Sequence, residues 1–300
     1  MCRIRFRELG TGNREPHMKT FAFVLLSAVM VMAMSCDVID NPIENPDVPI
    51  DTTTKVKQNV LLEDYTGHTC GNCPDAADVA HQLETLYGSD RVIIVAVHAG
   101  PFATPQPPTY PTDFRTTVGN ELDNTFKISR AGNPNGLVNR VTRNGKFIQS
   151  KDNWAPAVTA ELAKTPTMGL KLDHTWNATT KAIDVTVTAD YIAGGTEDYY
   201  VVVWLTESGI ISDQTDYRYD PSHIEDYDFE HVLRASLNGT WGEQLSTTPV
   251  AAGQKITKQM SYTFPSGSTW NPSKCDLVAF VHRYGTEKNV VQVIKKKLAE

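Results

Sequence analysis

Val60-Leu61-Leu62-Glu63-Asp64-Tyr65, followed by Thr66-Gly67-His68-Thr69-Cys70-Gly71-Asn72-Cys73-Pro74, is the stretch whose reading decides the fold. The first six residues form a short run of strand length that ends at turn-forming residues. Beyond the turn, Ala76, Val79, Ala80, Leu83 and Leu86 recur at the spacing of one helix face. The reading is strand, CxxC turn, helix. Val92 to Val97 is an unbroken and mostly β-branched run, as expected of a strand covered on both faces. A Pro-rich loop from Pro101 to Pro111 and a helix from Asp113 to Phe126 come next. Gly136–Val141 and Lys146–Gln149 flank Arg143-Asn144-Gly145, where Asn-Gly is a strong hairpin signal. A last helix from Asn153 to Lys164 presents Trp154, Val158 and Leu162 on one face, with Pro156 tolerated in its first turn. The order β-α-β-α-β-β-α predicts a mixed sheet with helices on both faces.

After Thr165-Pro166 the pattern changes. Gly169–His174, Ala182–Ile192, Tyr199–Thr206, Ile256–Phe264, Cys275–His282 and Asn289–Lys296 are alternating or apolar runs divided by Gly, Pro, Asn and Ser. Strands without intervening helices predict an antiparallel sandwich, with an immunoglobulin-like or fibronectin-like plan preferred to a jelly roll. The expected organisation is thus α/β followed by all-β: residues 57–165 as one domain and 166–300 as a second.

A sulfur at the start of a helix lies over unpaired backbone N–H groups and the positive end of the helix dipole. Both favour thiolate, the form that attacks disulfides. Cys70-Gly71-Asn72-Cys73-Pro74 resembles the redox turn of the thioredoxin family, and the element order agrees over residues 57 to 164. The resemblance implies a thioredoxin-like domain with Cys70 as nucleophile and Cys73 as resolving thiol; the mechanism expects the leading sulfur to be open to solvent. It also implies Asp64, six residues before Cys70, as the buried carboxylate that moves a proton. Pro134, in Gly132-Asn133-Pro134, takes the place of the cis-proline beside a bound peptide. No cofactor is implied beyond a redox-active disulfide Cys70–Cys73. Thr69 replaces the family's usual Trp, and Gly71-Asn72 departs from its usual dipeptides, which bears on potential and substrate range. A constitutive disulfide and a zinc site stay open as other readings of the CxxC. Zinc has only His68 as a third ligand nearby. His68 reads as an exposed loop residue or as a promoter of the thiolate.

Lys19 to Cys36 reads as a signal peptide, with Met18 as the true start. Fourteen mostly apolar residues from Phe21 to Met34 are shorter than the ~20 needed to span a bilayer. Ala33-Met34-Ser35-Cys36 resembles the lipobox of bacterial lipoproteins and implies lipidation of Cys36, followed by a Pro/Asp-rich tether over residues 36–56. Loss of residues 1–35 removes five basic and two acidic side chains and leaves 23 Lys and Arg against 33 Asp and Glu. That balance argues against nucleic acid as a partner.

Two more features stand apart. Cys275 begins a strand-like run and reads as a buried, inert thiol. Asp213–His231 holds seven acidic residues among Tyr217, Tyr219, Tyr227 and Phe229 and lacks EF-hand spacing, so it reads as a solvated loop rather than a calcium site. Lipobox, acidic tether, CGNCP domain and β-rich domain together resemble the twenty-eight-kilodalton outer-membrane lipoprotein family of Bacteroidetes-type bacteria, usually described as adhesins or receptors. Two functions follow as expectations. One is thiol-disulfide exchange on exported protein or peptide thiols. The other is a non-catalytic surface adhesin that binds a host or cell-surface ligand, with the CxxC as a structural bridge. Either would act from the outer membrane, facing the periplasm or the exterior.

Overall fold

A computed structural model describes residues 56–246, 249–285 and 288–299 of the 300. Cys36, the signal segment and the tether through residue 55 lie outside them. The first half contains β1 (Val60–Thr66), α1 (Cys73–Tyr87), β2 (Val92–His98), α2 (Thr117–Phe126), α3 (Ile128–Ala131), β3 (Asn135–Val138) and α4 (Trp154–Leu162). Among the described residues the second half has no α-helix, one short 3-10 turn (Pro272–Lys274) and the strands β4 (Met168–Asn177), β5 (Ala182–Tyr191), β6 (Tyr199–Glu207), β7 (Ile210–Thr215), β8 (His223–Phe229), β9 (Val232–Ser236), β10 (Glu243–Gln244), β11 (Lys255–Thr263), β12 (Cys275–Arg283) and β13 (Val290–Lys297). No helix among the described residues is long and apolar enough to cross a membrane.

Local chemistry sets the helix ends. Pro74 and Asp75 occupy the first turn of α1, where a missing N–H costs nothing and a negative charge meets the helix dipole. The Thr116 side chain accepts a bond from the Gly119 N–H and caps α2. After β3 the expected hairpin is curtailed. Asn144 and Gly145 make the tight turn with φ of 50° and 72°, bridged by Arg143 and Lys146. The second arm keeps only an isolated bridge from Gln149 to Gly136. The reason lies at Asn139 and Arg140, whose φ of 47° and 52° end the extended run and turn the Arg140 side chain inward.

The strands form a mixed eight-stranded sheet in the order β13-β12-β6-β9-β2-β1-β3, with β10 on β6, and a separate three-stranded sheet β11-β5-β4. β1 runs parallel to β2 and antiparallel to β3. The described residues make one compact unit. The break expected at 165/166 falls between α4 and β4, but the large sheet runs across it, because β9 pairs in parallel with β2 at Ala96–Val232.

Alternation along the strands divides the interior into layers. Val60, Leu62, Val92 and Ile94 pack under α1 and α4 with Ala76, Leu83, Trp154 and Val158. On the opposite face, Leu61, Tyr65, Ile93 and Val95 join Leu122, Trp204 and Phe280. Farther along the sheet, Val201, Val203, Leu277 and Ala279 face the three-stranded sheet through Val185, Val187 and Ala189. The segment read as a solvated loop is instead largely the hairpin β7–β8, with Gln214 and Asp216 buried and Phe229 packed on Phe114.

Candidate functional site

β1 delivers the chain to the turn at Gly67. A Cβ there would lie 2.3 Å from the Phe102 carbonyl carbon, so only glycine lets the segment after β2 cross so closely. The Thr69 N–H and Oγ1 both donate to the Phe102 carbonyl, at 3.1 and 3.0 Å. The Cys70 N–H then bonds the Gly67 carbonyl and the Cys73 N–H bonds the Cys70 carbonyl. Cys70 and Cys73 are joined as a disulfide, with their Cα atoms 5.4 Å apart. Cys73 is the first residue of α1; Cys70 lies three residues ahead of it.

The leading cysteine is not open, which corrects the sequence expectation. Cys70 is 3% exposed and Cys73 is 2% exposed. The cover is the tip of β7–β8. The Thr215 N–H donates to the His68 carbonyl at 2.8 Å, the Tyr217 N–H to the Gly71 carbonyl at 2.9 Å, and Gln214 Nε2 to the Cys70 carbonyl at 3.1 Å. The Tyr217 ring lies on Gly71 so closely that a Cβ there would be 2.5 Å from it. His68 is also neither exposed nor cationic in character. It is buried and stacks on Tyr110 at 5.6 Å, and burial lowers its pKa.

Behind Cys73 a cavity of about 320 Å³ opens between α1, the sheet and β8, lined by Asp64, His98, Tyr227, Phe229 and His231 among others. Asp64 is 3% exposed, and its Oδ1 has no hydrogen-bond partner. Burial pushes its pKa from 3.8 up to about 7. His98 lies against Phe114 and Phe229, and neither ring nitrogen has a partner. Burial above all pushes its pKa down to about 3, so the ring is neutral. The cavity thus holds a carboxyl that ionises near neutral pH beside a resident neutral imidazole.

Pro134 follows a cis peptide bond, as expected at that position. The register Asn135–Tyr65 sets it at the end of the sheet from which the CxxC turn departs. The two amide atoms of Asn133 are buried without partners. Cys275 is fully buried, and burial pushes its thiol up to about 12. Sequence reading missed the hairpin cover, His98 and Arg140. On the far face, Glu63 and Arg140 form a fully buried two-bond ion pair at 2.7 and 2.9 Å. The guanidinium carbon of Arg140 lies 5.2 Å from the Phe126 ring centre and 5.3 Å from that of Phe280. Among the described residues, no cluster of three or more His, Cys, Asp or Glu could hold a metal ion.

Residues 120–300 match the family described as outer membrane protein Omp28. The chain belongs to the Omp28 family. It is therefore an outer-membrane protein. The match begins after the CxxC turn, so membership carries nothing about the two cysteines. Among solved structures, the fold is similar to that of HBP35 of Porphyromonas gingivalis, at 19% identity over 81% of this chain and 77% of that one, with a TM-score of 0.58. A domain of the outer membrane lipoprotein Omp28 from the same organism matches at 24% identity over 45% of this chain and 91% of that one, with a TM-score of 0.30. No curated protein matches the chain.

Proposed function

We propose that this Omp28-family protein is a lipoprotein anchored through Cys36 that exchanges disulfides with exported polypeptides through Cys70 and Cys73. In this reading residues 57–165 follow a thioredoxin-like plan, and residues 166–300 form an antiparallel sandwich built onto its sheet edge. The observation that carries the reading is the disulfide at the head of α1 with Asp64 buried, unpartnered and shifted to about 7 beside the cavity that Cys73 lines. A carboxyl with that pKa gives or takes a proton near neutral pH, which suits it to the thiolate released at Cys73 when the bridge is attacked at Cys70. Pro134 sits at the same end of the sheet, where a substrate segment would lie.

The experiment is covalent capture. A Cys73→Ser chain displayed on cells is expected to accumulate mixed disulfides with exported proteins, and Cys70→Ser/Cys73→Ser is expected to lose them. Equal recovery from both variants, or none from either, overturns the exchange reading.

One observation favours the other function, a non-catalytic adhesin: both cysteines are covered in the oxidised chain. In that case the double cysteine variant keeps surface binding, and deletion of residues 166–300 abolishes it.

A further inference from the structure

The cover over the disulfide has the properties of a latch. Its backbone reaches the CxxC turn as an added strand would, giving N–H groups of Thr215 and Tyr217 to the carbonyls of His68 and Gly71. Those carbonyls flank Cys70, so the tip fills space that an incoming polypeptide or thiol would need. The fastening is polar, and the Thr215 hydroxyl also bonds that of Tyr110 at 2.7 Å. Arg218 reaches across to Asp78 on α1, while Asp216, itself 1% exposed, holds the guanidinium at 2.6 Å and caps the Arg218 N–H at 3.0 Å. Tyr217 and Tyr219 stay 65% and 60% exposed, so lifting the tip frees them from little packing. Lower down, Phe229 and Tyr227 root the hairpin against Phe114 and the cavity. The result is a firmly packed base carrying a lightly held tip.

We propose that residues 214–219 are a latch that closes the Cys70–Cys73 bridge to thiols and opens by release of Arg218 from Asp78. As a control on exchange it rests on the function proposed above; as a physical barrier it does not. The test is reduction of the full-length protein by dithiothreitol. A reductant thiolate bonds to the Cys70 sulfur as the Cys70–Cys73 bond breaks, and Cys73 leaves as a thiolate and takes a proton. The second reductant thiol then closes its own ring disulfide and releases Cys70, so one dithiol is oxidised for each bridge reduced.

Arg218→Ala/Tyr217→Ala is expected to be reduced about fivefold faster than the parent, the upper end of the scale set by one exposed ion pair. Asp78→Asn, which loosens the latch from the helix side without altering the hairpin, is expected to speed reduction about two- to fivefold. Gly71→Ala should also accelerate reduction, because its methyl group displaces Tyr217; in a Tyr217→Ala background that gain should vanish. Unchanged rates in Asp78→Asn, or equal Gly71→Ala effects with and without Tyr217, overturn the latch. Faster reduction without captured partners leaves the latch and removes the exchange reading. Captured partners with unchanged reduction rates do the reverse.

Discussion

Glu63 and Asp64 are neighbours in sequence and opposites in circumstance. Strand alternation sends their side chains to different faces of the sheet. Glu63 meets Arg140 in a two-bond pair with no exposure on either side, under Phe126, Trp204 and Phe280. Asp64 meets no cation; its Oδ1 is unpartnered beside a cavity shared with His98 and Cys73. A carboxylate taken from water needs compensation, and only one of these two has it. The first is a buried charge with its compensation in place, whereas the second costs stability when ionised. Two adjacent acids on one strand thus differ in whether their burial is compensated.

The harshest test of that contrast removes the compensated charge. Glu63→Gln leaves Arg140 buried without its counter-ion, and a loss of about 3–5 kcal/mol is expected. Urea unfolding followed by far-ultraviolet circular dichroism measures it. A loss below about 1 kcal/mol would mean that the interior tolerates the lone guanidinium, and the contrast collapses.

Asp64→Asn should do the opposite, with a sign that depends on pH. The folded-state pKa of about 7 lies above the ordinary 3.8, so between those values the native chain binds a proton that the unfolded chain does not. Wild-type stability from this group is intact below pH 4 and declines as pH rises towards 7. The variant does not ionise there. It should match wild type near pH 4 and exceed it by up to about 4 kcal/mol at pH 8. A difference that is flat with pH, or a variant less stable at pH 8, would show Asp64 to be compensated after all.

How far the sequence foretold these places follows from the range of the interactions. β1, the CxxC turn and α1 were legible because everything that defines them lies within thirty residues: a strand-length run, Gly67, Pro74 and a helical stripe. β5 was legible from the strict alternation Ile183-Asp184-Val185-Thr186-Val187. The position and burial of Asp64 followed from a family resemblance, but the cavity beside it depended on β8, which the acidic residues of 213–231 disguised as a solvated loop. Tyr227 and Phe229 turn inward there while Glu225 and Asp226 stay exposed, and the tip bonds to carbonyls of a turn more than 140 residues earlier. No local pattern reports such a contact. Arg140 was hidden for a related reason: its inward turn depends on consecutive positive φ values at Asn139 and Arg140, and while Asn tolerates that region, nothing in Arg announces it. The continuity of the large sheet rests on the single Ala96–Val232 bridge, equally invisible to periodicity.

The smallest expected effect sharpens the comparison from the surface. Arg218–Asp78 has the same chemistry as Arg140–Glu63, but its side chains are 41% and 56% exposed. Water screens both charges and solvates whichever one is left, so Asp78→Asn should change folding stability by less than about 1 kcal/mol while still changing access to the disulfide. The two readouts separate because global unfolding breaks the packed layers on the sheet, whereas opening the tip breaks four hydrogen bonds, three to the CxxC turn and one between Thr215 and Tyr110, and this one pair. An Asp78→Asn loss as large as that of Glu63→Gln would mean that the tip belongs to the cooperative core, and a lightly held element over the bridge would then have no physical basis.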